Sequence, residues 1–460
     1  MEMMWPRSNA ATGLMTDLYH VDAAYVSWRT GHNDLATFDL YTRSAPFGGA
    51  YMLTAGLEPA LAFVRDFRYT DEDLAYLARI KPYNPAFLDE LRHYRFSGEI
   101  LAIPEGTIAF PNEPLMRVTA PFRDALLLES GLLRAIGVST LIATKAARLV
   151  AAARGRDVSD FGFRRAHDPY LAARSSAIGG CSSTSFVDGA RLFDLAAAGT
   201  IPHALVQAFP TEEEAFRAVA ESFDRYSLLL DTYDVHAAIE TAVAVAHDAK
   251  RRLGHHLTAV RLDSGDLLAD SIHVRQVLDR AGLADTKVLV SGDLDEFRIA
   301  NLLEAGAPVD GFGVGGNLDV GLGSVASGTV GGTLGAVYKL TWYAGEGEQA
   351  RIKLAGEKST WPGRKLVYRI GDYAEDVIQL DDEPAPPDGI PLLEPFIRDG
   401  QLVDDLPPLA MTRAAAATNL QALPERYRAL RDPAPYPVRR GPGLLALRER
   451  VSRLHQHSVR

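Results

Sequence analysis

Between about residues 257 and 314 the chain alternates short β-forming runs with amphipathic helical stretches, and this rhythm limits its possible folds more than any other feature. Leu257–Leu262 reads as a strand, Leu267–Ala281 as a helix, Lys287–Val290 as a strand, Leu294–Ala305 as a helix and Val309–Val314 as a strand. Strands joined through helices over so few residues pair in parallel with right-handed crossovers, which leaves an open sheet or a barrel. A polar, glycine-bearing turn closes each strand: Asp263-Ser264-Gly265, Ser291-Gly292-Asp293 and Gly313–Gly316. Barrels build their active sites at that carboxyl edge, so these turns are expected to belong to one site.

The remainder is more mixed. Leu35–Tyr41 alternates apolar and polar residues as a half-buried strand does, and Ser44–Ala50 (SAPFGGA) follows as a turn. Thr70–Arg79 and Asn84–Tyr94 read as short amphipathic helices, with Asp71, Glu72 and Asp73 suited to a first turn. Leu101–Pro121 reads as short strands with tight turns, and Pro121–Ala153 is strongly helical. Beyond Tyr343, Ala350–Leu354 and Lys365–Ile370 look like strands, and the Pro- and acid-rich Leu380–Pro408 is expected to run over the surface. The Arg-rich Glu425–Arg460 reads as a solvated helix and tail. The expected fold is α/β: an irregular parallel β/α barrel plus an α+β domain formed by the N-terminal region and later β segments. The expected divisions are 1–132 (α+β), 133–343 (barrel with the active site) and 344–460 (β-rich return to the N-terminal domain plus a helical tail).

Charge and composition exclude several classes. The 460 residues carry 48 Lys and Arg against 59 Asp and Glu, a net charge of −11. Proteins that hold nucleic acid through its phosphates show the opposite bias, so no nucleic-acid partner is expected. The single cysteine, Cys181, excludes an internal disulfide and a cysteine-based zinc site. There is no His-Glu-x-x-His cluster and no Gly-x-Ser-x-Gly elbow. No run approaches the roughly 20 apolar residues of a membrane span, and Met1–Thr16 lacks the order of a secretory signal. A cytoplasmic enzyme without a membrane partner is the expectation.

Several segments are suited to chemistry. Gly311–Gly316 (GFGVGG) lets backbone N–H groups approach a phosphate closely, or simply makes a tight barrel turn. Arg261-Leu262-Asp263-Ser264-Gly265-Asp266 closes a strand with a cation and two carboxylates, suited to ribose hydroxyls or to Mg²⁺ held through water. Asp266 also suits the N-cap of the next helix. Asp160-Phe161-Gly162-Phe163-Arg164-Arg165 offers a ring to stack upon and guanidinium groups, which match a flat anionic heterocycle. Ser182–Ser185 (SSTS) can bond a carboxylate or cap the helix near Phe186–Leu192. Gly199-Thr200-Ile201-Pro202-His203 sets a histidine after a turn, where it can serve as base, ligand or nucleophile toward phosphorus.

With Thr16-Asp17-Leu18-Tyr19, Phe38–Gly49, Ala55-Gly56-Leu57, Tyr338-Lys339-Leu340, Arg351–Arg369 and Pro435-Tyr436-Pro437-Val438, these segments fall in an order that resembles the nicotinate phosphoribosyltransferases of the type II phosphoribosyltransferase superfamily. The resemblance implies that nicotinate and phosphoribosyl pyrophosphate give nicotinate mononucleotide and pyrophosphate, in NAD biosynthesis or salvage. It implies Mg²⁺, ATP as co-substrate, ligase-type coupling through a phosphohistidine at His203, and a homodimer with shared active sites. By the same resemblance Tyr19, from the partner subunit, and Phe161 sandwich the pyridine ring, while Arg164 and Arg261 line the base and phosphate side. Asp263 holds the ribose, and Gly292, Asp293, Gly315 and Gly316 shape the 5′-phosphate pocket. Arg43, Lys353 and Lys358 stand on the pyrophosphate and ATP side. Ser185 takes a position where nicotinamide-using relatives carry an aspartate, which would repel a carboxylate.

The chain departs from the family pattern at Pro202 and Ala204, which flank the histidine where the family reads Gly-Thr-x-Ala-His-Ser, and at Gly316, where threonine is common. Proline removes an N–H, and Ala204 removes a hydroxyl that would orient the imidazole. These changes bear on ATP coupling more than on glycosyl transfer. A nicotinamide-using transferase and a non-catalytic phosphoribosyl-binding homologue are the alternatives.

Overall fold

Seven strands pair in parallel in one curled sheet, an irregular β/α half-barrel. Their order is Ala196–Ala197, Ser183–Thr184, Asp157–Asp160, Gly311–Val314, Lys287–Val290, His256–Leu262 and Arg225–Leu229. The computed structural model describes residues 12–324, 328, 331–354 and 359–457. Apolar β-branched and leucine side chains sustain the sheet: Val158, Leu228, Val260, Val288, Val290 and Val314 are all buried, as expected for strands covered on both faces. Helices return the chain between strands and carry clear end signals. Asp234 caps Val235–Leu253, which stops at the left-handed Gly254. Asp266 accepts from the Ala269 N–H at 3.1 Å and so starts Leu267–Arg280, fulfilling the cap reading. Because the sheet is parallel, every strand presents its carboxyl end on the same edge.

This half-barrel lies in the unit Lys145–Gly332, and a second unit comprises Met1–Thr144 with Thr333–Arg460. The chain crosses from the second unit to the first inside one continuous helix, Glu129–Ala152, whereas composition alone points to a break at 132/133. The second unit holds a six-stranded sheet in the order Val337–Tyr343, Leu35–Tyr41, Pro114–Pro121, Glu99–Ala102, Glu394–Arg398 and Gln401–Leu402, with antiparallel pairing. In its core Phe38 stacks on Tyr338 with ring centroids 4.8 Å apart, over buried Leu40, Met116 and Val118. Thr70 and Asp73 form a reciprocal capping box at the start of Asp71–Ile80.

Two expectations change. Ala350–Leu354 forms no strand; Ala350 makes an isolated bridge to Trp342. Leu380–Pro408 is more than a surface run, since Glu394–Arg398 completes the six-stranded sheet and Leu392, Leu393 and Ile397 are buried. Pro391 shortly before five-residue Glu394–Arg398 and Pro395 within it mask its strand character. The absence of an unbroken membrane-length apolar run stands: Glu129–Ala152 has the length and mean hydropathy of a span, but 83% of its apolar stretch is buried, as in a core helix. Glu129, Arg134, Lys145 and Arg148 interrupt it, so it escapes a search for an unbroken apolar run.

Two of those charges are fully buried. Lys145 and Arg148 both bind the Glu296 carboxylate, Arg148 Nε at 2.9 Å from Oε1, and Glu296 is 0% exposed. Removing the anion takes the shared counter-charge away from two buried cations. Glu296→Ala is therefore expected to destabilise the chain by about 3–5 kcal/mol. Urea unfolding with a wild-type midpoint would contradict this.

Candidate active site

Arg261, the penultimate residue of the strand His256–Leu262, links three neighbouring segments through one planar guanidinium. Its Nη2 donates to Asp263 Oδ1 at 2.6 Å, its Nη1 to Thr200 Oγ1 at 2.6 Å, and its Nε to Ser291 Oγ at 2.8 Å. The Ser291 hydroxyl in turn donates to Asp263 Oδ1. The guanidinium also lies 6.0 Å from the centre of the Phe161 ring. Burial alone would push the Asp263 carboxyl up. Hydrogen bonds from Ser291 and Arg261, with the charges of Arg261 and His203, hold it below its ordinary range, so it stays ionised.

Around this hub the strand ends enclose a hollow lined by Phe161, Arg164, Arg165, Arg261, Asp263, Ser291–Leu294, Gly313 and Gly315–Asn317. Its glycines allow close approach. Gly292 has φ +91°, and a Cβ there would sit 1.8 Å from the Asp263 carbonyl oxygen. A Cβ on Gly313 would enter the Phe161 ring at 2.4 Å. The Phe161 N–H donates to the Val314 carbonyl at 2.8 Å, which ties the aromatic loop to the glycine turn. Asp293 adopts φ +45° and is 3.9 Å from Arg165. A Cβ on Gly316 would meet Arg165 Cδ at 2.9 Å, so the absence of a side chain at 316 leaves room for that arginine. Three cations, exposed backbone and a half-buried aromatic ring suit a flat ring and a phosphate; Asp263 suits a hydroxyl.

His203 opens the short helix His203–Gln207, with Pro202 as its N-cap at φ −84°. Proline fits that place because the N-cap N–H lies outside the helical ladder. His203 Nδ1 pairs with the Thr232 hydroxyl at 3.1 Å, so Thr232 supplies an orienting hydroxyl that Ala204 lacks. The preceding residue, Asp231, accepts from the Asp263 N–H at 3.1 Å and the Ser264 hydroxyl at 2.6 Å.

Among the expected residues, Phe161, Arg164, Arg261, Asp263, Gly292, Asp293, Gly315 and Gly316 line the hollow, and His203 acts electrostatically on Asp263. Ser185 follows the strand Ser183–Thr184, with its N–H on the Asp160 carbonyl at 2.8 Å; it does not line the hollow. Tyr19, Arg43 and Lys353 belong to the other unit. There Tyr19 is 59% exposed on the helix Leu18–Thr30, Arg43 lies 5.8 Å from the Tyr41 ring centre, and Lys353 is exposed. Lys358 lies outside the described residues. Sequence reasoning did not single out Asp231 or Thr232, and it placed Thr200, Ser291 and Arg165 only within candidate segments, without a role of their own. Asp231-Thr232 carries the usable signal: an apolar run, Leu228–Leu230, closed by a polar pair like the other strand ends.

Comparison with known proteins places these features. Models of the nicotinate phosphoribosyltransferase N-terminal domain, the nicotinate phosphoribosyltransferase family and its C-terminal domain match residues 14–137, 157–336 and 385–448. The nicotinate phosphoribosyltransferase pncB2 of Mycobacterium tuberculosis is 40% identical over 435 residues, 92% of this chain and 90% of that protein. The human nicotinate phosphoribosyltransferase is 34% identical over 519 aligned residues, 93% of this chain and 94% of its own. The crystal structure of the human nicotinic acid phosphoribosyltransferase superposes with a TM-score of 0.83 at 32% identity, covering 95% of this chain and 99% of that one. A nicotinate-nucleotide pyrophosphorylase from Pyrococcus furiosus shares the fold, with a TM-score of 0.72 at 24% identity over 92% of this chain and 99% of that one. With those matches running from the first described helix to the last, the chain belongs to the nicotinate phosphoribosyltransferase family.

Proposed function

We propose that the chain joins nicotinate to phosphoribosyl pyrophosphate, releasing nicotinate mononucleotide and pyrophosphate, and couples this to ATP hydrolysis through His203. The observation that carries the reading is the Arg261 clamp, which brings a carboxylate, an aromatic ring, the turn before His203 and the phosphate-suited turn Ser291-Gly292-Asp293 together at one sheet edge. Phe161 offers its face to the pyridine ring, and Arg164 and Arg261 offer charge to its carboxylate and to phosphate. Asp263, held ionised, accepts from a ribose hydroxyl. Gly292, Asp293, Gly315 and Gly316 present backbone to the 5′-phosphate. Tyr19 of a partner subunit closing over the ring, with Arg43, Lys353 and Lys358 toward the pyrophosphate and ATP, completes the reading as a homodimer.

Loss of pyrophosphate leaves cationic character on the ribose C1, and the pyridine nitrogen captures that carbon. The protein's part is to align the two reactants and to stabilise the departing charge. Mg²⁺ supplies charge neutralisation on the pyrophosphate when bound. Asp231 and Asp263 would hold it through water, and Asp231 Oδ1 is buried without a donor. At His203, Thr232 occupies Nδ1, which leaves Nε2 to take the γ-phosphoryl group of ATP as ADP departs.

His203→Ala is expected to abolish ADP formation coupled to turnover while leaving weak ATP-independent synthesis, followed as nicotinate mononucleotide and ADP with and without ATP. Unchanged coupling would remove the phosphohistidine from the mechanism. Ser185 lies outside the hollow but at the neighbouring strand end, so Ser185→Asp adds a negative charge near it and is expected to lower kcat/KM for nicotinate relative to nicotinamide several-fold, read in steady-state assays with each base. An unaltered ratio would show that charge at position 185 does not reach the substrate carboxylate.

A further inference from the structure

Two buried carboxyl groups lie beneath the site and take no part in the scheme above. Asp160 ends the strand Asp157–Asp160 and is 1% exposed; Asp319 ends the short helix Gly316–Asp319 and is 3% exposed. Their side chains lie within hydrogen-bond reach of each other. Asp160 is well supplied with donors: Oδ1 accepts from the Gly162 N–H at 2.9 Å and Oδ2 from the Thr184 hydroxyl at 2.9 Å. Asp319 finds no donor for either oxygen. A Cβ on Gly162 would sit 2.3 Å from Asp319 Cγ, so the loop and the helix touch closely here.

We propose that Asp319 is a positioning residue that carries a proton and donates it to the Asp160 carboxylate, latching the base-side loop Phe161–Arg165 to the phosphate-side turn Gly313–Gly316. Two carboxylates at this separation cannot both stay charged away from water, and one proton shared between them turns repulsion into a hydrogen bond. The donor supply decides which group keeps the charge: Asp160 has two donors and Asp319 has none. Burial, and then the Asp160 charge, push the Asp319 carboxyl well above its ordinary range. The elements packed on the helix Gly316–Asp319 also bring Arg164, Arg165 and Arg174, none of which donates to Asp319. The latch joins the segments that carry Phe161 and Gly315, so its loss displaces ring and phosphate subsites together. The choice of substrates below rests on the phosphoribosyl-transfer reading; the latch itself does not.

The test uses the full chain. In infrared difference spectra of wild type against Asp319→Asn at neutral pH, a carboxylic-acid C=O band is expected from Asp319. Asp319→Asn keeps a donor toward Asp160 and is expected to hold KM for nicotinate and for phosphoribosyl pyrophosphate within about threefold of wild type. Asp319→Leu removes the donor and is expected to raise both KM values about tenfold or more with a smaller change in kcat, in line with the cost of misplaced groups. If Asp319→Leu does not fold, Asp160→Asn decides: its amide donates to Asp319, so the acid band vanishes while both KM values persist. Absence of the acid band, wild-type KM values in Asp319→Leu, or equal impairment in the Asn and Leu variants would each overturn the latch. If the wild type converts neither pyridine base, the phosphoribosyl-transfer reading falls and the infrared band alone decides the latch.

Discussion

The guanidinium of Arg261 is the constraint on which the site depends. Neighbouring strands of a curled parallel sheet leave a gap between their carboxyl ends, and turns there have no ladder to hold them. A planar fork of five donors closes that gap with fixed directions, which a lysine ammonium cannot do. Here it ties the turn before His203, the end of its own strand and the turn after Lys287–Val290, with Phe161 beside it. Its charge is balanced by Asp263, and Ser291 relays between the two by accepting from one and donating to the other. The carboxylate thereby stays ionised and aimed, despite being half-buried.

Close packing supplies the second condition. Gly292, Gly313 and Gly162 stand where any Cβ would strike the Asp263 backbone, the Phe161 ring or the Asp319 carboxyl. Loops that would otherwise be mobile are thus set by contact as well as by hydrogen bonds. The departures from the family pattern fit the same picture. Pro202 stands at an N-cap, Thr232 gives His203 the hydroxyl missing at 204, and Gly316 makes room for Arg165.

Much of the half-barrel was legible because its strands end in polar, glycine-bearing turns. Lys287–Val290 has the expected bounds, and Leu267–Arg280 differs from its expectation by one residue, since Asp266 is a strong cap signal. The short strands Ser183–Thr184 and Ala196–Ala197 were illegible: two residues carry no periodicity, and only the sheet defines them. Glu394–Arg398 was hidden by prolines, and its burial comes from pairing with Glu99–Ala102, nearly three hundred residues earlier. In the site, single residues with chemical character were readable, as with Phe161, Asp263 and His203. Partnerships were not. Thr200, Ser291 and Thr232 gain their meaning from which strand end lies next to which, and the latch between Asp160 and Asp319 from a contact across 159 positions.

Arg261→Lys tests the central claim most directly, because it keeps the charge and removes the fork. Calorimetric titration with nicotinate mononucleotide, on a variant whose thermal unfolding matches the wild type, should show binding weakened about 100-fold, the scale of losing charge-assisted hydrogen bonds at a bidentate site. Binding at wild-type strength would contradict the account, because the strand ends would then hold their ligand without the clamp.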